Sequence, residues 1–220
     1  MSRGAGAWWS WARAQVRFGR TEWAVQKLTS SYKGLLPLSL HHSGMDCVAT
    51  DIASVAVLLD MNLCTTNRSG ALDAPALEAR SLDWFVNPAE WNWARRDITG
   101  SGVDKDDVSS LLAPPFDFIV TTDSVYHPSL TQPLLRALHA LSTPPYAPST
   151  KPPPIYLALE ARDPDLIAAF LDSARTDWSF KCSRTDNARL EKLLGKGGLG
   201  WSADDWEGVQ VWKLQLDRRR

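Results

Sequence analysis

Six side chains stand where short apolar runs give way to polar residues, and their types suit the handling of a nucleotide and an amine. Asp51 closes the run Cys47-Val48-Ala49-Thr50. Its carboxylate offers two acceptor oxygens, which is what the paired hydroxyls of a ribose require at the end of a nucleotide-binding strand. The same aspartate equally suits an N-cap for a helix starting at Ile52. Trp84, after Leu82-Asp83, offers a flat face to a purine ring or an ordinary core aromatic. Thr122, Asp123 and Tyr126 follow the strongest apolar run in the chain, Phe116-Asp117-Phe118-Ile119-Val120. A carboxylate and a phenol three residues apart on such a turn can point together into a cleft and orient an incoming amine. A lysine amine titrates near 10.4, so a reaction at its nitrogen needs a site that positions it while it sheds its proton. A capping Asp and a packing Tyr explain the same spacing. Glu160 closes Ile155-Tyr156-Leu157-Ala158-Leu159 in the same way as Asp51 closes its own run.

The elements that must position these residues alternate between short apolar runs and helical patterns from about residue 44 onward. That alternation predicts an α/β fold with a mostly parallel sheet. Strands are expected at 47–51, 76–82, 116–121, 155–159, 178–182 and 209–216, the last mixing polar and apolar positions as an edge strand does. Helices are expected at 52–63, from a cap at Ser129 through Leu130, Leu134, Leu135, Leu138 and Leu141, from Asp163 with Pro164 at the first position, and at 188–194. The connection 195–200 is glycine-rich and suits an antiparallel return, so the sheet should end in a hairpin. Six prolines between 143 and 154 predict an extended surface connection.

Composition narrows the partners. The chain carries 24 Lys and Arg against 25 Asp and Glu, so it has almost no net field to draw it to phosphate, and nucleic acid is not expected. Arg218, Arg219 and Arg220 form a basic tip that suits a solvated end. Cys47, Cys64 and Cys182 are odd in number and widely spaced, which indicates neither a disulfide framework nor a zinc site and fits a reducing cytosol or nucleus, of which a cytoplasmic setting is the one expected. His41, His42 and Asp46 do not make a metal site, because adjacent histidines point apart on any regular element. There is no run of about 18 apolar residues, so no membrane span is expected. Eleven tryptophans is a high count for 220 residues, and Trp8, Trp9, Trp11 and Trp23 crowd the start. Exposed aromatic segments of this kind call for a covering surface.

Taken in order, Val48-Ala49-Thr50-Asp51-Ile52, Leu82-Asp83-Trp84, Phe116-Asp117-Phe118-Ile119-Val120 with Asp123-Ser124-Val125-Tyr126, and Leu157-Ala158-Leu159-Glu160-Ala161-Arg162 resemble the methyltransferase-16 family across about residues 34 to 216. These are seven-strand, Rossmann-like enzymes, and the chain is similar to fungal elongation factor lysine methyltransferases among them. The resemblance implies S-adenosylmethionine as cofactor and a lysine of a protein such as a translation factor or chaperone as methyl acceptor. An inactive binding module or truncated gene product of the family, and a small-molecule amine methyltransferase, are the alternatives. It further implies that Asp51 binds the cofactor ribose, Trp84 lies by the adenine, Thr122 lines the cofactor site, and Asp123 with Tyr126 faces the amine as the catalytic pair. Trp23, in Thr21-Glu22-Trp23-Ala24, matches a tryptophan that the family places before its first strand. A monomer is expected.

The departure from the family lies just before Gly34. Family members end their first strand in E-L-G-x-G-x-G, whereas this chain has Leu28-Thr29-Ser30-Ser31-Tyr32-Lys33. No glycine-rich loop and no apolar strand precede Gly34, so the first central strand is expected to be missing. Residues 1–33 then form an atypical Trp-rich segment ahead of a Rossmann-like domain spanning 34–220. Binding of S-adenosylmethionine is expected to be poor.

Overall fold

The structure is a computed structural model that describes residues 22–28, 34–64, 75–100, 112–143, 151–196 and 203–217. Its strands are β1 (Glu22–Leu28), β2 (Asp46–Asp51), β3 (Leu77–Ser81), β4 (Ile119–Thr122), β5 (Ile155–Glu160), β6 (Phe180–Arg184) and β7 (Val209–Leu216). Its helices are α1 (Leu35–His42), α2 (Ala53–Cys64), α3 (Thr131–Ser142), α4 (Pro164–Thr176) and α5 (Asn187–Lys196). The strands form one sheet in the order β3-β2-β1-β4-β5-β7-β6. β1 to β5 run parallel, and β7 is antiparallel to both β5 and β6. The fold is therefore α/β and Rossmann-like, with a mostly parallel sheet and an antiparallel hairpin at one side.

The expected loss of the central strand is corrected. Glu22–Leu28 is that strand, with Ala24 paired to Val48 on one side and to Ile119 on the other. A strand covered on both faces is usually a continuous apolar run, and Glu-Trp-Ala-Val-Gln-Lys-Leu is not one. Ladder bonds involve only the backbone, so a mixed sequence can still fill a central position between two partners. The sheet thus takes in part of the segment that precedes Gly34. α1 was likewise not foreseen, because its apolar residues adjoin Pro37 and two histidines rather than following a capping side chain.

The end of the chain is also corrected. β7 does not lie at the sheet edge; it is inserted between β5 and β6, which makes β6 the edge. The return from β6 to β7 includes α5, so it is longer than a glycine turn, and it brings β7 back alongside β5 with Leu157 opposite Trp212.

Two apolar layers cover the sheet, and alternation along the strands assigns residues to them. Ile119 faces one core cluster with Leu134, Leu138, Ile155, Leu157 and Phe170 from α3, β5 and α4. Its neighbours Phe118 and Val120 face the other, with Leu36, Leu40, Leu59 and Leu63 from α1 and α2. α3 buries Leu134, Leu135, Leu138 and Leu141, as their helical spacing predicts. Its start differs from expectation: Leu130 belongs to a 3-10 turn, Pro128–Leu130, whose cap is the His127 ring accepting from the Ser129 N–H at 3.3 Å. Asp163 caps α4 as expected, accepting from the Leu166 N–H at 3.0 Å, with Pro164 in the first turn. No helix among the described residues is long and apolar enough to cross a membrane.

Candidate functional site

From β1 the chain steps outward to β2 and then β3, and β4 returns to the opposite side of β1. At such a reversal the loops leaving the two central strands diverge, and a crevice opens beyond their carboxyl ends. Asp51, Asp123 and Glu160 all lie at that end of the sheet, on β2, after β4 and on β5.

Asp51 is the last residue of β2 and is 5% exposed. Its Oδ1 accepts from the Ile52 N–H at 2.8 Å, and its carbonyl accepts from the Leu82 N–H at 2.8 Å. The carboxylate therefore bonds to the residue immediately before α2 and fixes the turn from strand to helix. Ile52 beside it is exposed.

The segment after β3 is held from beneath by an arginine that sequence reasoning did not single out. Arg80 lies within β3 and is 1% exposed. Its guanidinium donates to the carbonyls of Trp93 at 2.6 Å, Leu112 at 2.6 Å and Arg95 at 3.2 Å. It also lies 5.3 Å from the centre of the Trp93 ring and 3.9 Å from Glu78 Oε2. Burial raises the Glu78 carboxyl above the usual range, against the pull of the Leu112 N–H and of Arg80. An arginine inside an otherwise mostly buried strand was the signal available in the sequence, since an unpaired charge there would be costly. Above it, Ser81 donates to Asp97 and accepts through its backbone from the Ile98 N–H at 3.0 Å. Arg136 of α3 ties the same loop to the body of the protein, donating to the carbonyls of Trp84 at 2.8 Å and Phe85 at 2.9 Å.

Trp84 is 5% exposed and belongs to the core cluster with Phe116 and Leu134, whereas the adjacent Phe85 is 60% exposed. The open aromatic at this end of β3 is thus Phe85.

After β4 the backbone turns sharply. Thr121 donates to Ser124 Oγ at 2.9 Å, and both side chains are fully buried. This bond closes a tight turn that places Asp123 at φ 48°, a left-handed conformation uncommon for residues other than glycine. The Asp123 N–H donates to the Ala158 carbonyl at 2.9 Å. Partial desolvation raises its carboxyl above the usual range, against the backbone N–H of Glu160 and the charge of Arg162, while the Glu160 charge adds to the rise. Arg162 in turn pairs with Glu160, its Nε 2.8 Å from Oε2. Tyr126 is 55% exposed and Thr122 is 8% exposed.

Asp51, Thr122, Asp123 and Tyr126 are therefore brought to one end of the sheet, with Trp84 beneath it. Trp23 is not. It lies inside β1 rather than before it, paired to Cys47, and Asp51 is four residues further along β2. At roughly 3.3 Å per residue that is about 13 Å toward the opposite end. The stretch expected to hold a glycine loop, 29–33, lies outside the described residues. The next glycine, Gly34, has φ 104°, and a Cβ there would meet Leu63 Cδ2 at 3.3 Å and Leu59 Cδ1 at 3.5 Å. Gly34 thus serves the close approach of α1 to α2. Among the described residues no group of three or more His, Cys, Asp or Glu side chains is placed to hold a metal ion.

No protein-family model matches the chain, and no curated protein matches it. Solved structures do. The CurJ carbon methyltransferase is similar over 92% of this chain and 50% of its own, with 14% identity and a TM-score of 0.43. The mitomycin 7-O-methyltransferase MmcR is similar over 96% of this chain and 53% of its own, with 12% identity and a TM-score of 0.47. The methyltransferase domain of bacterial CtHen1 is similar over 89% of this chain and 91% of its own, with 7% identity and a TM-score of 0.49. The chain spans about half the length of the first two. The likeness is one of fold.

Proposed function

We propose that the crevice over β1 and β4 takes S-adenosylmethionine, with weakened affinity, and that the chain is a methyltransferase acting on the amine of a protein lysine. The observation that carries this reading is the reversal of strand order at β1 and β4 with Asp51 on one side of it and Asp123 on the other.

The residues present suit the nucleoside half of that cofactor. Asp51 ends the strand next to the reversal and offers its carboxylate to a ribose, and the exposed Ile52 and Phe85 supply apolar surface for a purine. The methionine half is less well served, because the glycine that follows β1, Gly34, is taken up by packing against Leu59 and Leu63. When bound, the cofactor supplies an electrophilic methyl group on a sulfonium. The chain's own contribution is to hold the acceptor: Asp123 accepts a hydrogen bond from the amine and Tyr126 bonds to it from the same turn, with Thr122 lining the wall behind. The bond from Thr121 to Ser124 fixes that turn before a ligand arrives, so little ordering is needed on binding. Transfer to a nitrogen so placed gains mainly from proximity and from exclusion of water. A translation factor or chaperone in the cytoplasm is the partner class that the family resemblance favours, with the enzyme acting as a monomer.

A second reading, an inactive module that keeps the acceptor side only, is favoured by the absence of a glycine-rich stretch before Gly34. Calorimetry with S-adenosylmethionine separates the two. Weak, saturable binding that is lost in Asp51→Asn supports the enzyme; no heat at any concentration supports the module; tight binding overturns the claim of weakened affinity. Transfer of labelled methyl groups to lysate proteins, but not to small amines, then tests the acceptor class.

A further inference from the structure

β6 is the outer strand of the sheet, and no strand among the described residues pairs with its other side. The ladder to β7 directs its backbone. The Ser179 carbonyl accepts from the Asp217 N–H at 2.9 Å, and the Thr185 N–H donates to the Val211 carbonyl at 2.8 Å. In an antiparallel pair every second residue turns both backbone groups to its partner, so Lys181 and Ser183 face β7. Phe180, Cys182 and Arg184 then turn their N–H and C=O groups away from it, the Phe180 carbonyl meeting the Cys182 thiol at 3.9 Å. Proteins blunt such an edge with proline, a bulge or a lysine over it. β6 has no proline, its register with β7 is unbroken, and Lys181 is drawn back to Asp217, 2.8 Å away and just past the end of β7. We propose that β6 is a docking edge that takes an extended acidic segment of a partner protein as an added strand.

The space and the charge beside the strand define that segment. A cavity of about 330 Å³ is bordered by the consecutive residues Ser179, Phe180, Lys181 and Cys182, with Arg175 and Asp217. Consecutive strand residues point to opposite faces, so space that meets all of them runs along the open backbone rather than over one face. Arg175 also borders a second cavity, of about 690 Å³, between α4 and the sheet, where Ile167, Leu171 and Trp212 give it an apolar floor and Arg184 stands at the sheet edge. A strand added beside β6 lies about 4.8 Å from it and sends every second side chain into this space. The charge there is positive. Lys181 is held by Asp217, whereas Arg184 donates to the Asn187 side chain at 3.3 Å and Arg175 has no ion pair among the described residues. Two guanidiniums therefore meet the one remaining carboxylate of this groove, Asp172. An extended chain with an apolar side chain between acids satisfies the floor, the arginines and the open amides together. β6 lies three strand spacings from β4, about 14 Å, so the segment docks clear of the crevice over β1 and β4 whatever reaction occurs there.

Backbone amide hydrogen exchange of the full chain, read residue by residue by nuclear magnetic resonance, tests the proposal. The probe is a capped heptapeptide, Ser-Glu-Thr-Val-Thr-Glu-Ser, whose glutamates and central valine share one face when extended. In the chain alone the Cys182 and Arg184 amides should exchange fast, while those of Lys181 and Ser183, bonded to β7, exchange slowly. The peptide should slow the first two saturably, by roughly tenfold or more, and the same peptide with lysines for its glutamates should not. In Arg184→Glu the effect should be lost with Lys181 and Ser183 still slow; where their protection falls as well, Arg175→Glu takes its place. No slowing up to millimolar peptide, or equal slowing by the lysine peptide, overturns the proposal. Binding that leaves the Cys182 and Arg184 amides fast is charge attraction without strand pairing and overturns it too. If both amides are already slow in the chain alone, the edge is covered by this chain, or by a second copy where protection grows with concentration, and either result refutes an edge open to a partner.

Discussion

Replacing Arg80 by Met keeps much of the side-chain volume and removes the guanidinium. The carbonyls of Trp93, Arg95 and Leu112 then lose their shared donor, and Glu78 loses the cation 3.9 Å from its Oε2. Each bond from a charged donor contributes about 1.5–3 kcal/mol net, which sets an upper bound of about 5–9 kcal/mol for three carbonyls. Water reaching the loop recovers part of that loss, so the expected destabilisation is about 3–5 kcal/mol, the range found when one member of a buried ionic cluster is removed. For a domain stable by about 5–15 kcal/mol this is a large fraction of the total. Urea unfolding followed by far-UV circular dichroism should show the midpoint fall with the slope unchanged. Arg80→Lys should fall nearly as far, because a single ammonium on a flexible stem cannot reach three carbonyls arranged around a planar fork. Arg80→Met combined with Glu78→Gln should be less destabilised than the sum of the single changes, since the buried carboxylate is then neutral. A loss below about 1 kcal/mol in Arg80→Met would refute the view that one buried guanidinium organises the loop after β3.

Other consequences follow from the same geometry. Asp123→Gly relieves a left-handed aspartate at φ 48° but also removes the carboxylate that accepts from the Glu160 N–H, so stability in urea should change by no more than about 1 kcal/mol while amine methylation is lost, a split that a purely structural aspartate would not give. Burial lowers the His41 pKa, with the neighbouring His42 adding to the effect and Asp46 opposing it. The folded state then binds fewer protons than the unfolded one, so stability is fully present above about 6.5 and is lost as pH falls below it toward the depressed folded value. His139 is lowered by burial and acts in the same direction. The urea midpoint should therefore drop between pH 7.5 and 5.5, and drop less in His41→Gln; equal drops in the two chains would remove His41 from the account.

The sequence by itself determined the elements whose side chains have one wet and one dry face. The stripe on α3, the Asp163 cap on α4 and the strands expected at 47–51, 116–121 and 155–159, which form at Asp46–Asp51, Ile119–Thr122 and Ile155–Glu160, were legible because periodicity and capping are local properties. It also placed Asp51, Asp123 and Tyr126 at strand ends, the positions a parallel sheet opens to ligands. Only the tertiary structure decided that Glu22–Leu28 fills the centre of the sheet, because ladder pairing with β2 and β4 depends on partners distant in sequence and not on side-chain type. The insertion of β7 between β5 and β6 was hidden for the same reason. Trp84 and Arg80 show the limit most plainly. Whether a tryptophan faces a ligand or the core, and whether an arginine in a strand meets water or three carbonyls, depends on what the rest of the chain packs around them.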